Sequence, residues 1–246
     1  MILSSPKDAI HKAWLYRVLT AISDEQELLK TLYFKGGTCA AMRGFLDRFS
    51  IDLDFDYMGG KSRLPELRKN LEKIFFALGL EIKDKSAKVP QYFLRYPSSE
   101  KNQRNTLKID ITTPPPKSNE YEAARLLDID RVINCQTKET MFANKLVALI
   151  ERFEKNNSIA GRDLYDIHYF FINGFGYNKK VICERRKIKD VRQFLNELVL
   201  FIKKEINDKI ISQDLNMLLD YEKFKQIRKI LKPEVIMFLR DEIERL

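Results

Sequence analysis

The sequence predicts an α+β domain at the N-terminus followed by a helical domain, residues 1–125 and 126–246 respectively. Two observations carry this reading. Residues 50–57 and 107–112 alternate apolar and polar side chains with the period of a strand, and from Thr137 onward apolar residues recur at helical spacing while strand signals nearly vanish. The change of period puts the boundary in the stretch 117–136, and no internal repeat or low-complexity tract interrupts either part.

Taken in order, Pro6 suits the first turn of a helix with Ser5 as its cap, and Ala9, Ala13, Trp14, Leu15, Val18 and Ile22 follow at helical spacing. Leu32-Tyr33-Phe34 reads as a short strand running into Gly36-Gly37-Thr38, after which Ala40, Ala41, Met42, Phe45 and Leu46 form a helical run. The strand 50–57 ends at Gly59-Gly60, and 64–78 carries leucines and phenylalanines at helical spacing. Strand-like patterns return at 81–83, 92–96 and 107–112, the last stopped by Pro114-Pro115-Pro116, which cannot continue a ladder. Phe142, Leu146, Leu149, Ile150 and Phe153 make one helical stripe, and Leu164, Ile167, Phe170 and Phe171 a second. Val191, Phe194, Leu195, Leu198, Phe201, Ile202 and Ile206 make a third, and 215–246 reads as two further helices with Pro233 opening the last.

Composition narrows the chemistry. A chain of 246 residues, 44% hydrophobic and 32% charged, buries an adequate core without disulfides or structural metals. Cys39, Cys135 and Cys183 are odd in number and widely spaced, which fits a reducing cytoplasm better than a disulfide framework or a zinc knuckle. With only His11 and His168, zinc-hydrolase motifs have no material. The N-terminus lacks a basic stretch followed by an apolar core, and no apolar run approaches the ~18 residues of a membrane span, so neither export nor insertion is expected. A net charge of +9 favours a polyanionic partner, although lysine excess also serves solubility.

The chemistry concentrates on the strand 50–57. Asp52, Asp54 and Asp56 share one face opposite Ile51, Leu53, Phe55 and Tyr57, and same-face neighbours only ~7 Å apart repel unless cations or basic side chains neutralise them. A solvated outer face is the plain alternative, but aspartate is a poor strand former and three in one strand argue against decoration. Asp110 lies opposite Leu107, Ile109 and Ile111 on another strand, beside Lys108 and Thr112, so two strands can pool carboxylates. An oxygen-only set suits Mg²⁺ or Mn²⁺, hard cations that bridge to substrate phosphates. Gly36-Gly37-Thr38 stands where a strand meets a helix and can cradle a phosphate on backbone N–H groups, or simply form a turn with Thr38 as cap.

Phe34-Lys35-Gly36-Gly37-Thr38 followed by Arg48-Phe49-Ser50-Ile51-Asp52-Leu53-Asp54-Phe55-Asp56 resembles the nucleotidyltransferases of the AbiEii/AbiGii toxin type, within the DNA polymerase β-like superfamily. The likeness continues through the segment from Asn144 to Arg152 and through Arg162-Asp163-Leu164-Tyr165-Asp166-Ile167, which are similar to the family's later lysine and aspartate motifs. It spans roughly residues 32–172. The resemblance implies a polymerase β-like nucleotidyltransferase domain with a mixed sheet flanked by helices, followed by the helical domain.

It further implies a cytoplasmic Mg²⁺- or Mn²⁺-dependent transfer of NMP from an NTP to an acceptor. RNA, the tRNA 3′ end among the candidates, would be that acceptor, and the protein the toxin of a toxin–antitoxin or abortive-infection system with a cognate antitoxin. Metal ligands would be Asp52, Asp54 and Asp110, and the nucleotide would be bound by Lys35, Gly36, Gly37, Thr38, Ser50, Lys145 and Arg152. Lys145 and Arg152 project within about 20° of each other on one helix. Asp163 would join Asp52, Asp54, Asp110 and Lys145 in catalysis, with Asp166 an equal candidate for its part and Asp56 left open as a ligand. A small-molecule or protein acceptor, and a degenerate binding protein, are the alternatives. The basic clusters Lys179-Lys180, Arg185-Arg186-Lys187, Lys203-Lys204 and Lys223-Lys225-Arg228-Lys229 suit either an RNA backbone or solvated helix faces.

Overall fold

The structure, a computed structural model, describes Leu3, residues 8–97 and residues 104–246. Ser5 and Pro6, expected to cap and open the first helix, lie outside the described residues. Two compact units result. The first comprises residues up to Pro115 together with Tyr121–Gln136, and the second Pro116–Glu120 together with Thr137–Leu246.

In the first unit the chain runs α1 (Ala9–Asp24), α2 (Gln26–Thr31), β1 (Leu32–Lys35), α3 (Gly36–Met42), β2 (Asp52–Tyr57), α4 (Leu64–Ala77), β3 (Glu81–Lys85), β4 (Gln91–Arg95) and β5 (Thr106–Thr112). It returns as the hairpin β6 (Tyr121–Leu126) and β7 (Arg131–Gln136). Among the described residues seven strands form one sheet in the order β3-β4-β5-β2-β1-β7-β6. The pairs β2/β5 and β1/β7 are parallel and the others antiparallel, so the sheet is mixed.

Alternation settles the two faces of this sheet. Phe34, Leu53, Phe55, Tyr92, Leu94, Leu107, Ile109 and Ile111 are buried on one face, against which α1 and α4 turn Leu15, Val18, Leu19, Leu67, Leu71 and Phe75, buried at helical spacing. The opposite face collects Tyr33 and Lys35 of β1, the three aspartates of β2, Lys108, Asp110 and Thr112 of β5, and Gln91 of β4. A one-residue slip in β2 would exchange these faces, so the register is fixed by the core.

The second unit is helical: α5 (Lys138–Asn156), α6 (Gly161–Ile172), α7 (Lys179–Arg186), α8 (Val191–Glu205), α9 (Asp208–Leu215) and α10 (Tyr221–Arg245). Side chains cap most starts: Thr137 on α5, Asn178 on α7, Asp190 on α8, Asn207 on α9 and Asp220 on α10 each accept a hydrogen bond from a backbone N–H of the first turn. Residues 116–120 join this unit before the chain goes back for β6: the Lys117 and Ser118 N–H groups donate to Glu184 at 2.8 and 2.7 Å. The Glu120 N–H donates to Thr140 Oγ1 at 3.1 Å.

Three expectations change. The hairpin β6–β7 occupies the supposed boundary, so a division at 125/126 would fall within β6 and 126–136 belong with the sheet. Tyr121-Glu122-Ala123-Ala124-Arg125 lacks alternation because β6 is an edge strand with mostly exposed side chains. Pro233 lies inside the 25-residue α10 rather than at its start. Phe224, Leu231, Val235 and Leu239 stay buried on both sides of it, and that packing outweighs the lost hydrogen bond. Finally, Gly36-Gly37-Thr38 forms the first turn of α3 itself, and Phe45 and Leu46 follow the helix. Among the described residues no helix is long and apolar enough to cross a membrane.

The sheet core makes a direct prediction. Phe55 is 2% exposed and its ring centroid lies 5.3 Å from that of Phe34. Phe55→Ala is expected to lower the unfolding free energy by about 3–5 kcal/mol in urea titrations, through lost transfer energy and the cavity left behind.

Candidate active site

β1 enters α3 through two glycines whose missing side chains make room for β2. Gly36 has φ +79°, a left-handed conformation that disfavours L side chains, and a Cβ there would come within 2.2 Å of Asp54 Oδ2. At Gly37 a Cβ would meet Ser50 Oγ at 2.8 Å and Arg48 Nη2 at 3.0 Å. The Asp54 carboxylate therefore lies directly against the Gly36 backbone. Thr38 and Ser50, expected at the nucleotide, are both buried and hydrogen-bonded to each other at 2.9 Å, and the Thr38 hydroxyl also donates to the Asp52 carbonyl. They pin the start of β2 to α3.

The three β2 aspartates differ in what surrounds them. Asp56 is fully buried and accepts hydrogen bonds from Lys35 Nζ at 2.6 Å, the Tyr121 hydroxyl at 2.8 Å and Gln136 Nε2 at 2.6 Å. Lys35, also expected at the nucleotide, commits its ammonium to Asp56 and to Thr112 Oγ1 at 2.6 Å. Asp52 and Asp54 remain partly exposed on the polar face. Through the parallel β2/β5 register Asp54 is the partner of Asp110, and Asp52 the partner of Lys108. Asp110, 34% exposed, accepts from Lys108 Nζ at 2.6 Å and from Gln91 Nε2 at 3.0 Å. Lys35 and Lys108 thus bring positive charge to this face, to Asp56 and Asp110 respectively.

The donor chemistry fits a hard divalent cation. Asp52 and Asp54 offer adjacent carboxylates, and Mg²⁺ commonly uses one or two of these while waters and substrate phosphates complete its octahedron. Among the described residues no three His, Cys, Asp or Glu side chains form a ready-made cage, so phosphate oxygens would be needed as ligands.

The remaining expected residues meet in the helical unit. Lys145 Nζ on α5 lies 2.8 Å from Asp163 Oδ1 and 2.8 Å from Asp166 Oδ2, both buried on α6. Arg152 Nη2 is 3.2 Å from Asp163 Oδ2, and its Nε is buried without a hydrogen-bond partner. Burial alone would raise the Asp163 pKa, but Lys145 and Arg152 override it and hold the carboxyl well below the usual range. Of the basic clusters, Arg185 and Arg186 are tied to Glu151, Glu154 and Glu197 at 2.8–2.9 Å, whereas Lys179, Lys180, Lys203, Lys204, Lys225, Arg228 and Lys229 are exposed.

The candidate set drawn from the sequence leaves out Arg48, Lys108, Gln91, Tyr121 and Gln136. Lys108 carried a signal, since it precedes Asp110 by two residues on one strand face. Tyr121 and Gln136 carried none, because their strands are visible only once paired.

A family model described as Nucleotidyl transferase AbiEii toxin, Type IV TA system, matches residues 17–232. Among solved structures, JHP933 from Helicobacter pylori is 20% identical, with 99% of this chain and 96% of that chain covered and a TM-score of 0.61. An H. pylori protein provisionally described as a nucleotidyltransferase is also 20% identical, with 98% of each chain covered and the same TM-score of 0.61. Among curated proteins the chain has no match.

Two predictions arise from these contacts. Gly36→Ala suffers both the left-handed backbone and the Asp54 contact, whereas at Gly44, with φ +75°, an added Cβ meets nothing within 4 Å. Thermal unfolding is expected to show Gly44→Ala costing about 1 kcal/mol and Gly36→Ala distinctly more. Asp163 has a depressed folded pKa, so its stabilisation is present above the unfolded value of about 4 and is lost as pH falls toward the folded one. Asp163→Asn is expected to cost about 3 kcal/mol near neutral pH, and its unfolding free energy to fall less steeply than wild type between about pH 4 and 2.

Proposed function

The chain belongs to the AbiEii nucleotidyltransferase toxin family, and from this premise we propose that it transfers NMP from an NTP to an RNA acceptor, with pyrophosphate as the leaving group. The observation that carries this reading is the Asp54 carboxylate held against the Gly36 backbone, with Asp52 beside it and Asp110 in register on the neighbouring strand. Bare backbone and adjacent carboxylates on one open face are what a triphosphate and its counter-ion require.

Asp52 and Asp54 would hold Mg²⁺ or Mn²⁺, which when bound polarises phosphoryl oxygens and offsets their charge. Gly36 and Gly37 let phosphate oxygens approach the chain without a Cβ in the way. The acceptor hydroxyl attacks the α-phosphorus, an O–P bond forms as the bond to the pyrophosphate oxygen breaks, and Asp110 takes the hydroxyl proton. Lys108 and Gln91 both donate to Asp110 Oδ2, which leaves Oδ1 to take that proton, and Lys108 stays nearby to offset negative charge. Asp56 is a positioning residue: it fixes Lys35 at the residue before the glycine turn. In the helical unit, Lys145 is proposed as the phosphate-binding cation, with Asp163 and Asp166 fixing its ammonium in one orientation.

The family description supports a role as toxin of a type IV toxin–antitoxin system, and in the proposed reading the protein acts in the cytoplasm with a cognate antitoxin. The net charge of +9 and the exposed lysines of the helical unit suit an RNA acceptor. The test is incubation with each α-³²P-labelled NTP, Mg²⁺ and total tRNA, with RNA and protein resolved separately. Label on RNA is expected, falling at least about 100-fold in Asp52→Ala/Asp54→Ala, together with growth arrest on expression that the variant lacks. Label on protein or on a small molecule, or none at all, would overturn the RNA reading.

A further inference from the structure

The helical unit contains a cavity of about 450 Å³, within the usual size range of small-ligand sites. Its aromatic lining is Phe171 at the end of α6, Phe175 and Tyr177 in the following loop, and Phe238 on α10. Phe171 and Phe238 are stacked at 5.6 Å with an interplanar angle of 21°, and Phe142 braces Phe171 edge-on at 4.8 Å. These contacts fix the rings so that they cannot collapse into the space. Gly174 and Gly176 border the cavity, and a Cβ on either would meet nothing within 4 Å.

The polar groups around these rings have a definite pattern. The Tyr177 hydroxyl donates to Glu242 Oε1 at 2.9 Å. Burial, reinforced by Glu242, pushes the Tyr177 pKa up and keeps the phenol a donor, which leaves Glu242 Oε2 to accept from a ligand. Lys179 and Arg245 add positive charge at the same cavity, Arg245 also pairing with Asp241 at 2.6 Å. Flat apolar walls, a carboxylate acceptor and cations match a planar heterocycle that carries an amino donor and an attached phosphate.

We infer that this cavity binds an amino-bearing nucleobase, supplied by an unpaired nucleotide of an RNA strand or by a free mononucleotide. Adenine, cytosine and guanine carry an exocyclic amino group that can donate to Glu242, whereas uracil has none and flanks its single N3–H with two carbonyl oxygens that the carboxylate repels. The inference deepens the proposed function by giving an RNA acceptor a base-reading foothold, and its RNA arm rests on that reading.

Binding of short oligo(A), oligo(C) and oligo(U) RNAs to the full chain, followed by fluorescence anisotropy, tests it, with AMP as competitor. Gly176→Leu puts a bulky side chain at the border of the cavity without left-handed strain, and its melting temperature relative to wild type reports on folding. Oligo(A) and oligo(C) are expected to bind several-fold tighter than oligo(U), Gly176→Leu to weaken them about tenfold, and Glu242→Gln to erase the base preference. AMP that competes with RNA, and loses affinity equally in Gly176→Leu, would identify the free mononucleotide as a source; AMP without effect would leave the RNA strand. Equal binding by a folded Gly176→Leu variant, no preference among bases, or no binding at all would overturn the inference. Cavity-dependent binding without transfer of label would sink the transferase reading alone. Label on RNA with unaltered RNA affinity in Gly176→Leu would sink only this inference.

Discussion

Three carboxylates on one face of a single strand are the constraint around which the first unit is built. Like charges at that spacing are tolerable only if each is neutralised, hydrogen-bonded or exposed to solvent, and β2 together with its neighbour β5 uses all three solutions. Asp56 is buried and satisfied by three donors from β1, β6 and β7. Asp110, which faces Asp54 across the ladder, is matched by Lys108 from its own strand. Asp52 and Asp54 are left partly exposed beside a backbone stripped of side chains. The same apolar registry that buries Leu53 and Phe55 holds these oxygens in place, so core packing and site geometry are one arrangement viewed from two sides of the sheet.

Much of this was legible in the sequence. Strict alternation around Asp54 and Asp110 revealed both the strands and the face on which the carboxylates stand, and the Gly-Gly turn before them marked where a helix would begin. The roles within that face were harder to read. Thr38 and Ser50 look like phosphate ligands in a motif, yet their hydroxyls turn to each other and to the Asp52 carbonyl. Lys35 looks like a cation for a nucleotide, yet it balances Asp56. Such choices depend on which side chains arrive from distant strands, and no local pattern encodes them. The hairpin β6–β7 escaped for a related reason: an edge strand with exposed Glu122, Ala123 and Arg125 has no alternation to detect.

In the helical unit, net charge misleads in the same way. Arg185 and Arg186 sit in a conspicuous basic run, but each is paired with glutamates from neighbouring helices and serves to join them. Lys145 is likewise shared by two buried aspartates, so its ammonium is held in place. Holding it costs desolvation that only the full set of partners offsets. For a long polyanion such as an RNA backbone, the lysines and arginines that offer themselves are those on exposed helix faces, Lys203, Lys204, Lys225, Arg228 and Lys229 among them.

The path of the backbone between the two units has a consequence for modularity. Residues 116–120 belong to the helical unit, the chain goes back to complete the sheet with β6 and β7, and it leaves again after Gln136, three crossings in all. No single cut therefore leaves both units intact: a cut after Pro115 deprives β1 of its parallel neighbour β7, and a cut after Gln136 takes from the helices the segment anchored to Glu184 and Thr140. Exchange of one contiguous piece at a single junction therefore cannot replace one unit and leave the other whole.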